Sequence, residues 1–181
     1  MKKLILLITL LISINCLAQV PSYVPTDSLI GWWPFNGNAH DESGNNLDGI
    51  ASGGALLISD RFGSSSSAYF FDGVDDVITI PDDNALDVQI NSFSISAWVL
   101  TTVNGVYINK TLDANQSEGF AISSVSSGEA KTAVIYGGGQ ASYRHSASAI
   151  NDSSWHHVVM VFNLPSNYDV YIDGVLDNGL N

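Results

Sequence analysis

Two clusters of side-chain oxygens could do chemistry in this 181-residue sequence. The first is His40–Gly49, HDESGNNLDG. Asp41, Ser43 and Asn45 offer oxygens at alternate positions there, and Asp48 adds a fourth within reach of a curled loop. Hard cations such as calcium take roughly six to eight oxygens, counting backbone carbonyls and water, and glycine lets a loop curl around them. The second is the turn Asp72–Asp76, DGVDD, with carboxylates at Asp72, Asp75 and Asp76. Charges this close repel unless they point apart, accept backbone N–H groups or share a cation. The candidate calcium set is therefore Asp41, Ser43, Asn45, Asp48 and Asp72. Both clusters also have an ordinary reading, in which Asp and Asn side chains close Asx turns and the remainder face water. The first is not an EF-hand, because its glycine is Gly44 and no glutamate closes the loop.

Other chemistries find less support. His156 and His157 are neighbours on a predicted strand, so their side chains leave on opposite faces and cannot chelate one ion. His40 and His145 have no His, Cys or Glu at a ligand spacing, which argues against zinc. Glycoside hydrolysis needs two carboxylates flanking the scissile bond. The glutamates are Glu42, Glu118 and Glu129, with no paired array among them, and Tyr171 separates Asp169 from Asp173 on their strand face. No Gly-x-Ser-x-Gly elbow is present. This segment reads as non-catalytic.

Sugar recognition is open to the aromatics. Trp32, Trp33, Trp98, Trp155, Tyr107, Tyr136, Tyr143 and Tyr168 could each present a flat apolar platform, although large aromatics mostly fill cores. Trp98 and Trp155 lie inside apolar strands and are assigned to packing. The stretch GGGQASYR (Gly137–Arg144) is the better exposed edge. Its Gln140, Tyr143 and Arg144 supply hydrogen bonds and a stacking surface, unless it is only a hairpin with a flexible tip.

The ends and the charge say where such a site would work. Met1–Ala18 has a Lys2-Lys3 start, an apolar run Leu4–Ile14 and a small residue at its end, the pattern of an export signal cut near Ala18. The run is too short to span a membrane. A membrane attachment would arise only if Cys16 were lipidated, and Asn15 before it is not the small residue such sites favour. Export predicts a secreted or cell-surface protein. It also removes the sole cysteine, so no disulfide can help the fold. Four basic residues (Arg61, Lys110, Lys131, Arg144) then face 18 acidic ones, a net charge near −14. Such a surface repels phosphate backbones and excludes nucleic acid as a natural partner.

The elements that must position these residues are short strands. Ala68–Pro81, AYFFDGVDDVITIP, reads as a hairpin whose two strands flank the acidic turn, with Gly73 free to take a positive φ. Leu29–Phe35 (LIGWWPF) reads as a strand after an extended lead-in, Gln19–Ser28. Ile50–Asp60 offers weak strands broken at Gly53-Gly54, and Asp82–Ile90 is a loop or one helical turn. In Phe93–Leu100, Phe93, Ile95, Ala97 and Val99 share one face and Ser94, Ser96, Trp98 and Leu100 the other. Further strands are predicted at Gly105–Lys110, Gly119–Ser124, Lys131–Tyr136, Ala141–Ser146, Trp155–Phe162 and Tyr168–Asp173. Strands at this spacing, separated by Gly, Asn, Asp and Ser, predict one all-β domain, an antiparallel sandwich or barrel. Little follows the Asp173-Gly174 turn, so the domain, residues 29–181, reads as cut before its last strand or two.

Five segments in order carry a resemblance: GWWPFNGNAHDESGNNLDG (Gly31–Gly49), DRFG with SAYFFDGVDDVITI (Asp60–Ile80), SFSISAWV (Ser92–Val99), WHHVVMVF (Trp155–Phe162) and VYIDGVL (Val170–Leu176). Together the chain resembles the laminin G-like, concanavalin A-like jelly roll of secreted bacterial proteins. The resemblance implies two antiparallel sheets packed face to face and a structural calcium near the His40–Gly49 loop. It implies a targeting or adhesion module for a polysaccharide or a cell-surface glycan or protein. The superfamily also includes laminarinase-type hydrolases, but their Glu-x-Asp-x-Glu array is missing here. A hydrolase or lyase with its catalytic residues beyond Asn181, and a ligand-free spacer, are the alternatives.

Overall fold

The computed structural model describes residues 20–87, 92–111, 119–136, 140–163 and 167–179. The predicted export signal with its Cys16, and residues 137–139, lie outside them. The strands are β1 (Ile50–Ser52), β2 (Leu56–Ile58), β3 (Ala68–Phe70), β4 (Val77–Thr79), β5 (Phe93–Leu100) and β6 (Val106–Thr111). They continue with β7 (Gly119–Ser124), β8 (Glu129–Tyr136), β9 (Gln140–Ala149), β10 (Trp155–Asn163), β11 (Asn167–Ile172) and β12 (Val175–Leu176). A 3₁₀ turn, Asn84–Leu86, is capped by the Asp83 carboxylate accepting the Ala85 N–H.

Two four-stranded antiparallel sheets, ordered β12-β11-β10-β5 and β6-β7-β8-β9, bury their apolar faces against each other. Period-two patterning builds that interface. Val158, Met160 and Phe162 alternate along β10 and are buried, as are Tyr168, Val170 and Ile172 on β11. Phe120, Ile122 and Ala130 answer from β7 and β8, with Ile150 just past β9. Phe93 stacks on Phe162 at 4.3 Å and meets Phe120 of the other sheet at 5.2 Å. Each such side chain contributes about 1.5–3 kcal/mol of apolar burial, so this interface dominates the stability of the fold. The predicted all-β sandwich is what forms.

Ahead of it, residues 50–79 fold differently from the expectation. Ala68–Pro81 is not a hairpin: β3 pairs with β2, and β4 pairs with β1. Two arches, β1–β2 over Gly53-Gly54 and β3–β4 over the acidic turn, are nested and paired crosswise. The turn is too long for a two-residue hairpin link, and it bonds the Asp72 and Val74 N–H groups to its own carboxylates. A Cβ on Gly53 would lie 2.1 Å from the Asp75 carbonyl oxygen, so glycine is what lets the two arch tips touch.

Leu29–Phe35 joins no sheet, and Phe35 turns the chain with a φ of 59°. Its bonds go to the adjacent loop: the Trp32 N–H donates to Asp41, and the Trp32 carbonyl accepts the Glu42 N–H at 2.8 Å. Pro34 removes one donor a ladder would need. Ile30 reaches the main core from here.

Candidate functional site

The His40–Gly49 loop is organised around Asp41. Its Oδ1 accepts the Trp32 N–H and the Ser43 N–H, both at 2.9 Å. Its Oδ2 accepts the Ser43 hydroxyl at 2.8 Å and the Leu47 N–H at 3.0 Å. Burial pushes this carboxyl up, but the three backbone donors and the Ser43 hydroxyl outweigh it and hold Asp41 below its ordinary value. Asp48 accepts the Asp41 N–H at 2.9 Å and faces His40 Nδ1 at 3.1 Å. That backbone bond and the His40 contact hold Asp48 low as well. Asn45 donates from Nδ2 to the carbonyls of Leu29 and Ile30, each at 2.9 Å.

The sequence thus brings Asp41, Ser43, Asn45 and Asp48 together, but in a hydrogen-bonded arrangement. A carboxylate has about four lone-pair sites, and four protein donors occupy those of Asp41. In this arrangement the Asp41 carboxylate does not fit a calcium ligand.

Asp72 stands apart, in the β3–β4 turn. Its Oδ1 accepts the Val74 N–H at 2.8 Å, and Asp76 Oδ2 accepts the Asp72 N–H at 2.8 Å. Asp72, Asp75 and Asp76 each place one oxygen within 4.8 Å of the others. Among the described residues this is the one group of His, Cys, Asp or Glu side chains with that spacing.

A different site forms where β9 leaves β8. The β8–β9 register shifts between Glu129 and Lys131, so that Lys131 faces His145 while Glu129 faces Ala149. β9 is the last strand of its sheet, and the chain after β12 pairs along its outer edge at this point. The Ala147 N–H donates to the Asp177 carbonyl at 3.0 Å, and the Gly179 N–H to the His145 carbonyl at 2.8 Å. On the β8 side, Ser146 Oγ accepts the Ala130 N–H at 2.9 Å, standing in for a lost ladder bond. Bulges re-aim side chains in this way beside binding sites.

The result is an open groove of about 630 Å³ lined by Ser126, Ser127, Glu129, His145, Asn178 and Gly179, among others. The Ser127 hydroxyl donates to Glu129 Oε2. That bond, with a backbone contribution, holds the Glu129 carboxylate below its ordinary value. Tyr143 lies two residues from His145, on the same outer face of β9. It is 48% exposed, with Lys131 Nζ 4.0 Å over its ring.

None of the predicted ligand residues lines this groove; Tyr143 comes nearest along the chain, two residues before His145 on β9. Arg144 points the other way, its Nε donating to the Tyr168 carbonyl at 3.0 Å. Gln140 pairs through its backbone with Tyr136, and its side chain lies outside the described residues. Glu129 and His145 were not singled out as a pair by the sequence, because they are joined only through the bulge. The turn signal Ser127-Gly128 before Glu129 was the available hint.

The outer face of β5 and β10 corrects a second expectation. Trp98 is not core; it is 43% exposed, stacked on His157 at 4.9 Å, with the Arg61 guanidinium 4.2 Å over its ring. Trp155, on the same face of β10, is half-buried. Ser96 Oγ lies 2.8 Å from His157 Nε2, a nucleophile–base distance. Asp173, however, binds the His157 backbone N–H and the His156 ring rather than the His157 ring. The Ser96–His157 contact is therefore a cross-strand hydrogen bond without an orienting carboxylate on the imidazole.

A family model described as the concanavalin A-like lectin/glucanases superfamily matches residues 71–181. Among solved structures, the chain is similar to the binding domain of Paraclostridial Mosquitocidal Protein 1. The TM-score is 0.55 at 15% identity, over 76% of this chain and 36% of that one. The chain thus spans little more than a third of that neighbour, and the likeness concerns the fold. No curated protein sequence matches.

Proposed function

The chain belongs to the concanavalin A-like lectin/glucanase superfamily, in its laminin G-like branch, and from that premise we propose that it is a non-catalytic carbohydrate-binding module. The bulge groove lined by Glu129 and His145 carries the reading. Ligand sites are concave and combine apolar or aromatic surface with a few placed polar groups. Here Glu129 accepts sugar hydroxyls, His145 and Ser126 add further hydrogen bonds, and the exposed Tyr143 ring, two residues from His145 along β9, offers a stacking surface outside the groove lining. Its floor is fixed by backbone bonds at Ala147 and Gly179, so little ordering is needed on binding. A Cβ on Gly179 would lie 2.6 Å from the Ser146 carbonyl oxygen, so that close approach requires glycine.

Exported by its N-terminal signal, the module would hold a polysaccharide or cell-surface glycan, acting as a targeting or adhesion element. Calcium has a place in this reading at the Asp72–Asp76 turn, where carboxylate oxygens remain open, rather than at Asp41. The test is a glycan array probed with the chain, alongside Tyr143→Ala and Glu129→Gln. Retention of a glycan by the parent, lost in both variants, supports the reading. Retention that survives both substitutions, or no retention of any glycan, overturns it.

A further inference from the structure

His156 and His157 are adjacent on β10, yet their surroundings ask for opposite charge states. His156 has its side chain largely buried between two carboxylates: Nδ1 is 2.9 Å from Asp173 Oδ2 and Nε2 is 3.1 Å from Asp152 Oδ1. A neutral imidazole carries one N–H, so facing two acceptors calls for the doubly protonated ring. Asp152 and Asp173 are themselves fixed. Asp152 accepts the Ser154 N–H at 2.9 Å, Asp173 accepts the His157 N–H at 2.8 Å, and the Asp173 N–H donates to the His157 carbonyl at 2.9 Å. Ser153 and Asp173 hold φ of 70° and 52°, a left-handed backbone that non-glycine residues rarely adopt. The clamp keeps both turns in place.

His157 meets a different field. The Trp98 ring lies against it, Ser96 bonds its Nε2, and the Arg61 guanidinium sits over Trp98. Arg61 is presented by the loop Asp60–Gly63, which Asp60 closes by accepting the Phe62 and Ser64 N–H groups at 2.9 and 2.8 Å. The stack joins this loop, next to the nested arches, to the sandwich.

We propose that the two histidines form a two-way pH latch: His156, charged, ties the Asp152 turn to the Asp173 turn, while His157, neutral, seats the Arg61 loop on Trp98. The charged groups facing His156 are Asp173 and Asp152; those facing His157 are Arg61 and Asp173. For His156, burial disfavours the cation, but the two carboxylates outweigh it and raise its pKa above 6.5. For His157, burial and then Arg61 outweigh Asp173 and lower its pKa below 6.5.

The signs differ accordingly. The His156 contribution is fully present below the unfolded value and is lost as pH rises through its raised folded pKa. The His157 contribution is present above the unfolded value and is lost as pH falls toward its depressed folded pKa. Both ties hold together only in a window around the ordinary histidine pKa. Acid releases the Arg61 loop and uncovers Trp98, and alkali loosens the Asp152–Asp173 clamp.

Histidine ring NMR titrations of the whole chain test this, with Arg61→Ala and Asp152→Asn as variants. Two separated titrations are expected for His156 and His157, the higher belonging to His156. Arg61→Ala should raise the His157 midpoint alone, and Asp152→Asn should lower the His156 midpoint alone. Coincident midpoints, or a His157 midpoint indifferent to Arg61→Ala, overturn the latch. Failure of either variant to move its own histidine would do so even if all variants fold normally.

Discussion

Residues 20–80 and the two-sheet body that follows are held by different forces. The body is an apolar sandwich in which Val158, Met160, Phe162 and Val170 are fully buried between sheets. In the first region the buried apolar side chains are smaller and fewer: Ala39, Leu47 and Ala68 among the described residues. Ile50, Leu56, Phe62, Phe70, Phe71, Val74 and Val77 stay exposed there. What shapes that region is carboxylates, since Asp41 gathers four donors and Asp60 closes the loop that carries Arg61. The difference separates two kinds of cooperativity. Damage to the body should unfold everything, whereas damage to an Asp-centred loop should stay local and depend on pH.

The largest break in that comparison is Phe162→Ala. Phe162 stacks on Phe93 and meets Tyr168 edge-on at 5.9 Å, with no exposed surface. Its truncation should cost about 3–5 kcal/mol, lowering the midpoint of a single denaturation transition. Asp41→Ala comes next. It strands the N–H groups of Trp32, Ser43 and Leu47 and should cost about 1–3 kcal/mol. The damage should appear as faster amide exchange at those three residues, while β10 stays protected. Because the depressed Asp41 pKa makes its contribution present above the ordinary carboxylate value and lost as pH falls below it, the parent and the variant should converge in strong acid. The loss should be equal in calcium and in chelator, as a hydrogen-bonded carboxylate requires.

Smaller effects sharpen the contrast. The Thr132 hydroxyl is buried in the body without a hydrogen-bond partner, so Thr132→Val should stabilise by about 1 kcal/mol. That gain would mark the body as an apolar structure carrying one polar misfit. Tyr143→Ala, on the exposed face of β9, should change stability by under about 0.5 kcal/mol while removing ligand binding. Unfolding curves and glycan retention measured on the same preparation separate the two roles.

Much of the body was legible from the sequence because its signal is local. The alternation in Phe93–Leu100 and the Trp155–Phe162 run placed β5 and β10 almost to the residue. The same alternation put Trp98 on the serine face, opposite Phe93; assigning it to the core let side-chain size override a period that proved correct. The first region was harder because its partners are distant. Nothing within Ala68–Pro81 says that its halves pair with separate strands, since that depends on Gly53 meeting Asp75. Oxygen spacing in His40–Gly49 found the residues that meet but not what they bind, because N–H groups and cations seek the same lone pairs. The groove was hidden for a related reason. Glu129, His145 and Gly179 converge through a bulge, and a bulge leaves no periodic trace.

The central claim is that the groove at the β8–β9 bulge is the ligand site. Its most direct test is backbone and side-chain NMR of the labelled chain titrated with a glycan that the array identifies. Shift changes concentrated at Ser126, Glu129, Tyr143 and His145, with Trp98 and the Asp72–Asp76 turn unmoved, are the predicted result. Changes centred on Trp98 or on the acidic turn, with the groove silent, would contradict it.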